Sequence, residues 1–177
     1  VKNFLYVGRL TKVKNLEYLI RKFNTHPELT LTIIGFGELE DHLKSIADKN
    51  IEFLGAINNS ELSPHYQKAD VFILPSVSEA WGLVIEEALN NGTPVMVSDK
   101  VGCSEEIINK NNGVIFSLNP DNFAEFSFRR LFVKNWAKAL LYVKVFTESA
   151  VYAFTLKRNG KSWLKKSEHS RELNQVQ

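Results

Sequence analysis

Six short apolar runs, each followed by a stretch of helical patterning, constrain this chain more than any other feature. The runs are Phe4 to Val7, Leu31 to Ile34, Ile51 to Leu54, Val71 to Leu74, Pro94 to Val97 and Gly113 to Phe116. Most are continuously apolar rather than alternating, as strands are when both faces of a sheet are covered. Between them, apolar residues recur at helical spacing over Leu16 to Phe23, Glu38 to Ala47, Ser60 to Lys68, Leu83 to Asn90 and Ser104 to Asn109, and Ser60 and Ser104 are expected to act as N-caps. Strictly alternating strands and helices predict a parallel sheet with helices on both faces, joined by short right-handed connections.

The expected fold is therefore α/β, a Rossmann-like doubly wound parallel sheet of about six strands. Ligands of such a sheet bind beyond the carboxyl ends of its strands. The chain of 177 residues has room for one such domain, over residues 1–120, and a tail over residues 121–177. Asn3 to Gly8 already reads as a buried strand, the pattern expected of a domain taken from a longer protein. With 44% apolar and 24% charged residues, neither disorder nor a fibrous repeat is indicated.

Cys103, the one cysteine, excludes an internal disulfide and fits a reducing compartment. No run approaches the roughly 18 consecutive apolar residues of a spanning helix, and a cytoplasmic location is expected. The net charge of +2 conceals an asymmetry. Residues 1–120 hold 11 basic and 15 acidic side chains, and residues 121–177 hold 11 and 5.

Three segments carry residues suited to chemistry. Gly8-Arg9-Leu10-Thr11-Lys12-Val13-Lys14 leaves the first strand, so Arg9 and Lys14 are expected over the carboxyl edge of the sheet. Arginine grips phosphate oxygens with a planar fork and lysine adds a mobile point charge, a combination that suits a diphosphate. Two basic residues taken alone are more often solvated surface cations. The second segment, Ile33-Ile34-Gly35-Phe36-Gly37-Glu38, runs from a strand through glycines that either form a tight turn or admit a nucleotide close to the backbone. Glu40 stands where a dinucleotide fingerprint would place its third glycine, which argues against a nicotinamide cofactor.

The third and richest segment runs from Leu74 through Glu79, Trp81, Gly82, Leu83, Val84 and Glu87 to Gly92-Thr93-Pro94-Val95. A helix starting near Gly82 would expose the amides of Gly82, Leu83 and Val84 to a phosphate. Seven residues separate Glu79 from Glu87, which places one carboxylate on the loop and the other about a turn and a half into the helix. As bare spacing, such pairs are usually solvated acids. A carboxylate can also accept hydrogen bonds from two adjacent sugar hydroxyls.

These landmarks, in this order and together with Phe53-Leu54-Gly55, resemble the C-terminal domain of the retaining glycosyltransferases of family 4, the group 1 glycosyltransferases. That resemblance covers Gly8 to Phe116 and implies one half of a GT-B fold. It implies that Arg9 and Lys14 bind the diphosphate of a nucleotide-sugar donor, UDP- or GDP-linked, and that Glu79 meets the transferred sugar. It further implies that Glu87 holds the ribose, that Gly8, Trp81, Gly82, Leu83 and Val84 line the donor site, and that Gly35, Gly37, Phe53 and Leu54 line the base pocket. Sugar transfer to a hydroxyl acceptor with retention follows, with no metal or other cofactor and with acceptor residues from a missing N-terminal domain. Three departures stand out: Trp81 where the family usually has phenylalanine, Ala80 where glycine is usual, and Cys103 where a second glycine is common.

Two further expectations concern partners. Past Asp121 the resemblance fades, and a helical stretch rich in aromatics carries Arg129, Arg130, Lys134 and Lys138. It suits packing on the sheet or on the missing domain, and alternatively a peripheral contact with the anionic inner face of a membrane. His26, His42, His65 and His169 lack metal-ligand spacing, and no nucleic-acid partner is expected. An epimerase or phosphorylase on the same plan, or a binding module without catalysis, are the alternative functions, since fold alone does not choose among them.

Overall fold

The computed structural model describes residues 1–118; the expected helical tail of residues 121–177, with its membrane or packing role, lies outside the described residues. The elements are β1 (Asn3–Val7), α1 (Leu16–Asn24), β2 (Thr30–Ile34), α2 (Glu40–Ile46), β3 (Ile51–Gly55), α3 (Ser63–Lys68), β4 (Val71–Leu74), α4 (Leu83–Asn90), β5 (Val95–Ser98), α5 (Ser104–Ile107) and β6 (Gly113–Phe116). The six strands form one sheet in the order β3-β2-β1-β4-β5-β6, and every pairing is parallel. The α/β, Rossmann-like doubly wound fold is therefore present.

Burial explains the apolar runs. Every residue of β4 and β5 is buried, whereas β3, at the sheet edge, exposes Glu52 and Leu54. The strand order reverses direction between β1 and β4, so right-handed crossovers place α1 and α2 on one face and α3, α4 and α5 on the other. On the first face α1 and α2 lie side by side, with Asn24 Nδ2 donating to the Ile46 carbonyl at 2.7 Å. Phe4 of β1 meets Phe23 of α1 edge to face, ring centres 5.1 Å apart, a geometry that aligns a positive ring edge with a negative face. On the second face, Ser63 Oγ of α3 donates to Asn91 Oδ1 at the end of α4 at 2.6 Å.

The two expected serine caps are not formed. Ser60 lies inside a 3-10 turn, Asn59–Glu61, and α3 begins only at Ser63, with Pro64 in its first turn. Proline has no N–H to donate and a preset φ, so it fits a first turn and delays the helix to that point. Ser104 is the first residue of α5, not its cap; that position falls to Cys103, and no side chain caps the turn. Helix α2 also starts at Glu40 rather than Glu38.

Candidate functional site

The loops that leave β1, β4 and β5 at the carboxyl edge are laced together. The Val77 amide donates to the Val13 carbonyl at 2.9 Å, joining the loop after β4 to the loop after β1. Glu79 is held through its backbone on the other side: its N–H bonds the Lys100 carbonyl at 3.2 Å, and its carbonyl accepts from the Gly102 amide at 2.8 Å. A β-carbon at Gly102 would stand 2.0 Å from the Ala80 carbonyl oxygen, so only glycine permits that approach.

Across the switch point between β1 and β4, the Lys14 ammonium forms an ion pair with a Glu79 carboxylate oxygen. Both side chains are largely shielded, 20% and 18% exposed. Lys14 reaches this position because a 3-10 turn over Lys12–Lys14 precedes α1, closed by Asn15 in the left-handed region at φ 56°. Asparagine tolerates that conformation better than most side chains do. The Glu79 Cγ lies 3.4 Å from where a β-carbon of Gly82 would stand, and Gly82 itself has φ +90°. Gly82 is the N-cap of α4, and no side chain caps that helix. Lysine, glutamate and an uncapped helix start thus meet at one point of the sheet edge.

Glu87 lies one turn further along α4. Its Oε2 accepts a hydrogen bond from the Tyr66 hydroxyl of α3 at 3.0 Å. Tyr66 is 1% exposed, and burial, reinforced by the neighbouring Glu87 charge, pushes its phenol well above the usual range. On β1, Tyr6 is fully buried beneath the loop and donates to the Arg9 carbonyl at 2.9 Å. Burial, with the Glu79 charge adding to it, raises its phenol as well. For Tyr6 a sequence signal exists, since a phenol within an otherwise apolar strand must find a partner when buried; Tyr66 lies in the polar helix Ser63–Lys68 and carries no such signal.

The other expected site residues are distributed as follows. Arg9 is exposed on the loop after β1, beside the half-buried Gly8. Gly35 and Gly37 face that same loop: β-carbons there would stand 1.8 Å from the Gly8 carbonyl oxygen and 2.4 Å from the Leu10 carbonyl oxygen. Their lack of side chains thus serves the approach of the chain's own backbone, and the Gly8 and Leu10 amides donate to Ile34 and Phe36 at 2.9 Å each. Phe53 and Leu54 sit on β3, two strands from β1 and so about 10 Å away. They point to opposite faces of the sheet, as neighbours on a strand do. Leu54 is exposed, while the Phe53 ring lies 5.9 Å beneath the Lys44 ammonium of α2. Trp81 is half exposed, and its indole N–H donates to Glu86 Oε1 at 2.7 Å. Leu83 is exposed at the start of α4, and Val84 packs against the core.

Exposed apolar side chains gather at this same edge. Val13, Phe36, Leu54, Val77, Trp81 and Leu83 all belong to carboxyl-end loops or to the residues flanking them. A six-stranded parallel sheet of this order, with charged side chains meeting at the switch-point crevice, defines the Rossmann-like α/β class, whose ligands bind in that crevice.

Comparison with known proteins makes the assignment more particular. Residues 1–127 match the family described as glycosyl transferases group 1, and the chain belongs to that family. It is 38% identical over 160 residues to an uncharacterized glycosyltransferase of Methanocaldococcus jannaschii, covering 81% of this chain and 41% of that protein. It is 40% identical over 119 residues to a glycogen synthase of Mycobacterium tuberculosis, covering 62% of this chain and 29% of that protein. Among solved structures, sucrose-phosphate synthase from Thermosynechococcus elongatus superposes with a TM-score of 0.69 at 24% identity, over 89% of this chain and 45% of that one. The fold is one half of the GT-B arrangement, and the chain spans less than half the length of these relatives.

Proposed function

We propose that this chain is the C-terminal, donor-binding half of a retaining glycosyltransferase that transfers a sugar from a nucleoside diphosphate to a hydroxyl acceptor. The observation that carries this reading is the meeting of Lys14 and Glu79 over the uncapped start of α4. In this reading Lys14, with Arg9 from the same loop, neutralises the charge that builds on the departing diphosphate, aided by the amides of Gly82, Leu83 and Val84. Glu79 orients a hydroxyl of the transferred sugar, and Glu87 holds the ribose diol. The cations and the helix end take the charge-stabilising role that a divalent ion fills elsewhere, so transfer proceeds without metal. Acceptor groups come from a domain outside this chain. A cytoplasmic setting belongs to the same reading, supported by a cysteine held as a buried free thiol.

Titration of the chain with UDP, GDP and ADP, each with and without EDTA, tests this. At least one nucleotide is expected to bind independently of metal, and Lys14→Ala or Glu87→Ala to weaken it by about 1 to 3 kcal/mol, as loss of a hydrogen bond involving a charged group does. Equal affinity across parent and variants would remove the site assignment.

A further inference from the structure

We infer that Tyr66 is a positioning residue for Glu87: its buried hydroxyl fixes one carboxylate oxygen and leaves the other directed at the ribose of the donor. The inference rests on the ribose-binding reading of Glu87 and adds to it a residue from a different helix. A glutamate on a short helix ordinarily samples several side-chain conformations, and a ligand that needs one of them must first suppress the rest. Here the choice is made in advance. The Tyr66 hydroxyl donates to Glu87 Oε2 at 3.0 Å, which leaves Oε1 to accept from sugar hydroxyls.

The phenol can do this because it is itself held. Its ring is 1% exposed and packs against Phe72 of β4, ring centres 5.9 Å apart. Its backbone carbonyl accepts from Thr93 Oγ1 at 2.6 Å, and the start of α3 is tied to the end of α4 through Ser63 and Asn91. A phenol is protonated in the neutral range and burial pushes this one higher still, so its hydroxyl is there to donate to Glu87. Tyrosine thus delivers a fixed donor to a half-buried acid, an arrangement in which the supporting group sets the geometry of the ligand-binding group.

The test compares the full chain with its Tyr66→Phe, Glu87→Ala, doubly substituted and Thr93→Val variants, titrated with UDP and GDP and with their 2′,3′-dideoxy counterparts; thermal unfolding of each variant establishes that it is folded. Tyr66→Phe is expected to weaken the ribonucleotide about three- to tenfold. It should barely change the dideoxy form, and add nothing once Glu87 is alanine. Thr93→Val loosens the same helix without touching the phenol, so any change it causes should be the same for the ribose and dideoxyribose forms. If Glu87→Ala weakens the ribonucleotide and Tyr66→Phe does not, or if Tyr66→Phe weakens both sugars equally, the positioning role is overturned while the ribose reading of Glu87 survives. If no nucleotide binds, or Glu87→Ala has no effect, the ribose reading fails and the inference falls with it.

Discussion

Lys14 and Glu79, 65 positions apart in the chain, form an ion pair across the gap between the first and fourth strands. The pairing matters because the function proposed above gives the lysine a diphosphate and the glutamate a sugar. Each neutralises the other. In the proposed reading, an arriving diphosphate draws the ammonium away from the carboxylate, which then faces the sugar.

Glu79→Gln should therefore bind a bare nucleoside diphosphate about two- to fivefold more tightly than the parent, since the carboxylate that competes for Lys14 is gone and even a solvent-exposed ion pair is worth up to about 1 kcal/mol. Calorimetric titration measures it; weaker binding by the variant would show that the pair supports the site instead of competing with the ligand.

The two glycine positions Gly35 and Gly55 should respond very differently to alanine. At Gly35 the new methyl would meet the Gly8 carbonyl oxygen at 1.8 Å with φ at +142°, and a destabilisation of about 3 kcal/mol or more is expected. At Gly55 nothing lies within 4 Å of the new carbon and only the φ of +71° is unfavourable, for a cost of about 1 kcal/mol. Urea unfolding of both variants gives the comparison, and equal losses would contradict the packing of the β1 and β2 loops.

Tyr6 and Tyr66 should make stability fall in alkali. Both phenols are raised above their ordinary value of 10.0, chiefly by burial. The folded state therefore holds these protons more tightly than the unfolded state does. Their contribution is complete below the unfolded value and is lost progressively as pH rises above it. Thermal midpoints should hold steady through neutral pH and drop above about pH 10, and Tyr6→Phe should shallow that drop. An unchanged slope in the variant would show that Tyr6 is not among the groups responsible.

Cys103 should be inert in the folded chain. It is fully buried, and its thiol is raised by burial first and by the nearby Glu86 next, both of which disfavour the reactive thiolate. Alkylation by iodoacetamide is expected to be slow in buffer and fast in denaturant, and rapid native-state labelling would point to a reactive role.

Element order was legible because it depends on local pattern. Val71 to Leu74 and Leu83 to Asn90 have the bounds in the structure that their apolar pattern predicts. The ends that shifted lie where chain geometry competes with composition, as at α3, where Pro64 sets the start that Ser60 was expected to set. The site was legible only as a set of segments. That Arg9, Lys14 and Glu79 sit on loops leaving strand ends and Glu87 in the helix that follows is set by their places in the sequence, whereas the partner of each side chain is not.

The sequence by itself determined the alternation of strands and helices, and with it the parallel sheet and the edge at which its functional loops gather, because burial on both faces writes a local and periodic signature. Only the tertiary structure decided that Lys14 pairs with Glu79, that Tyr66 reaches Glu87, and that Gly35 makes room for Gly8 rather than lying open. Those are contacts between segments far apart in the chain, fixed by strand order and by distances of a few ångströms, and no periodicity along a single chain records them.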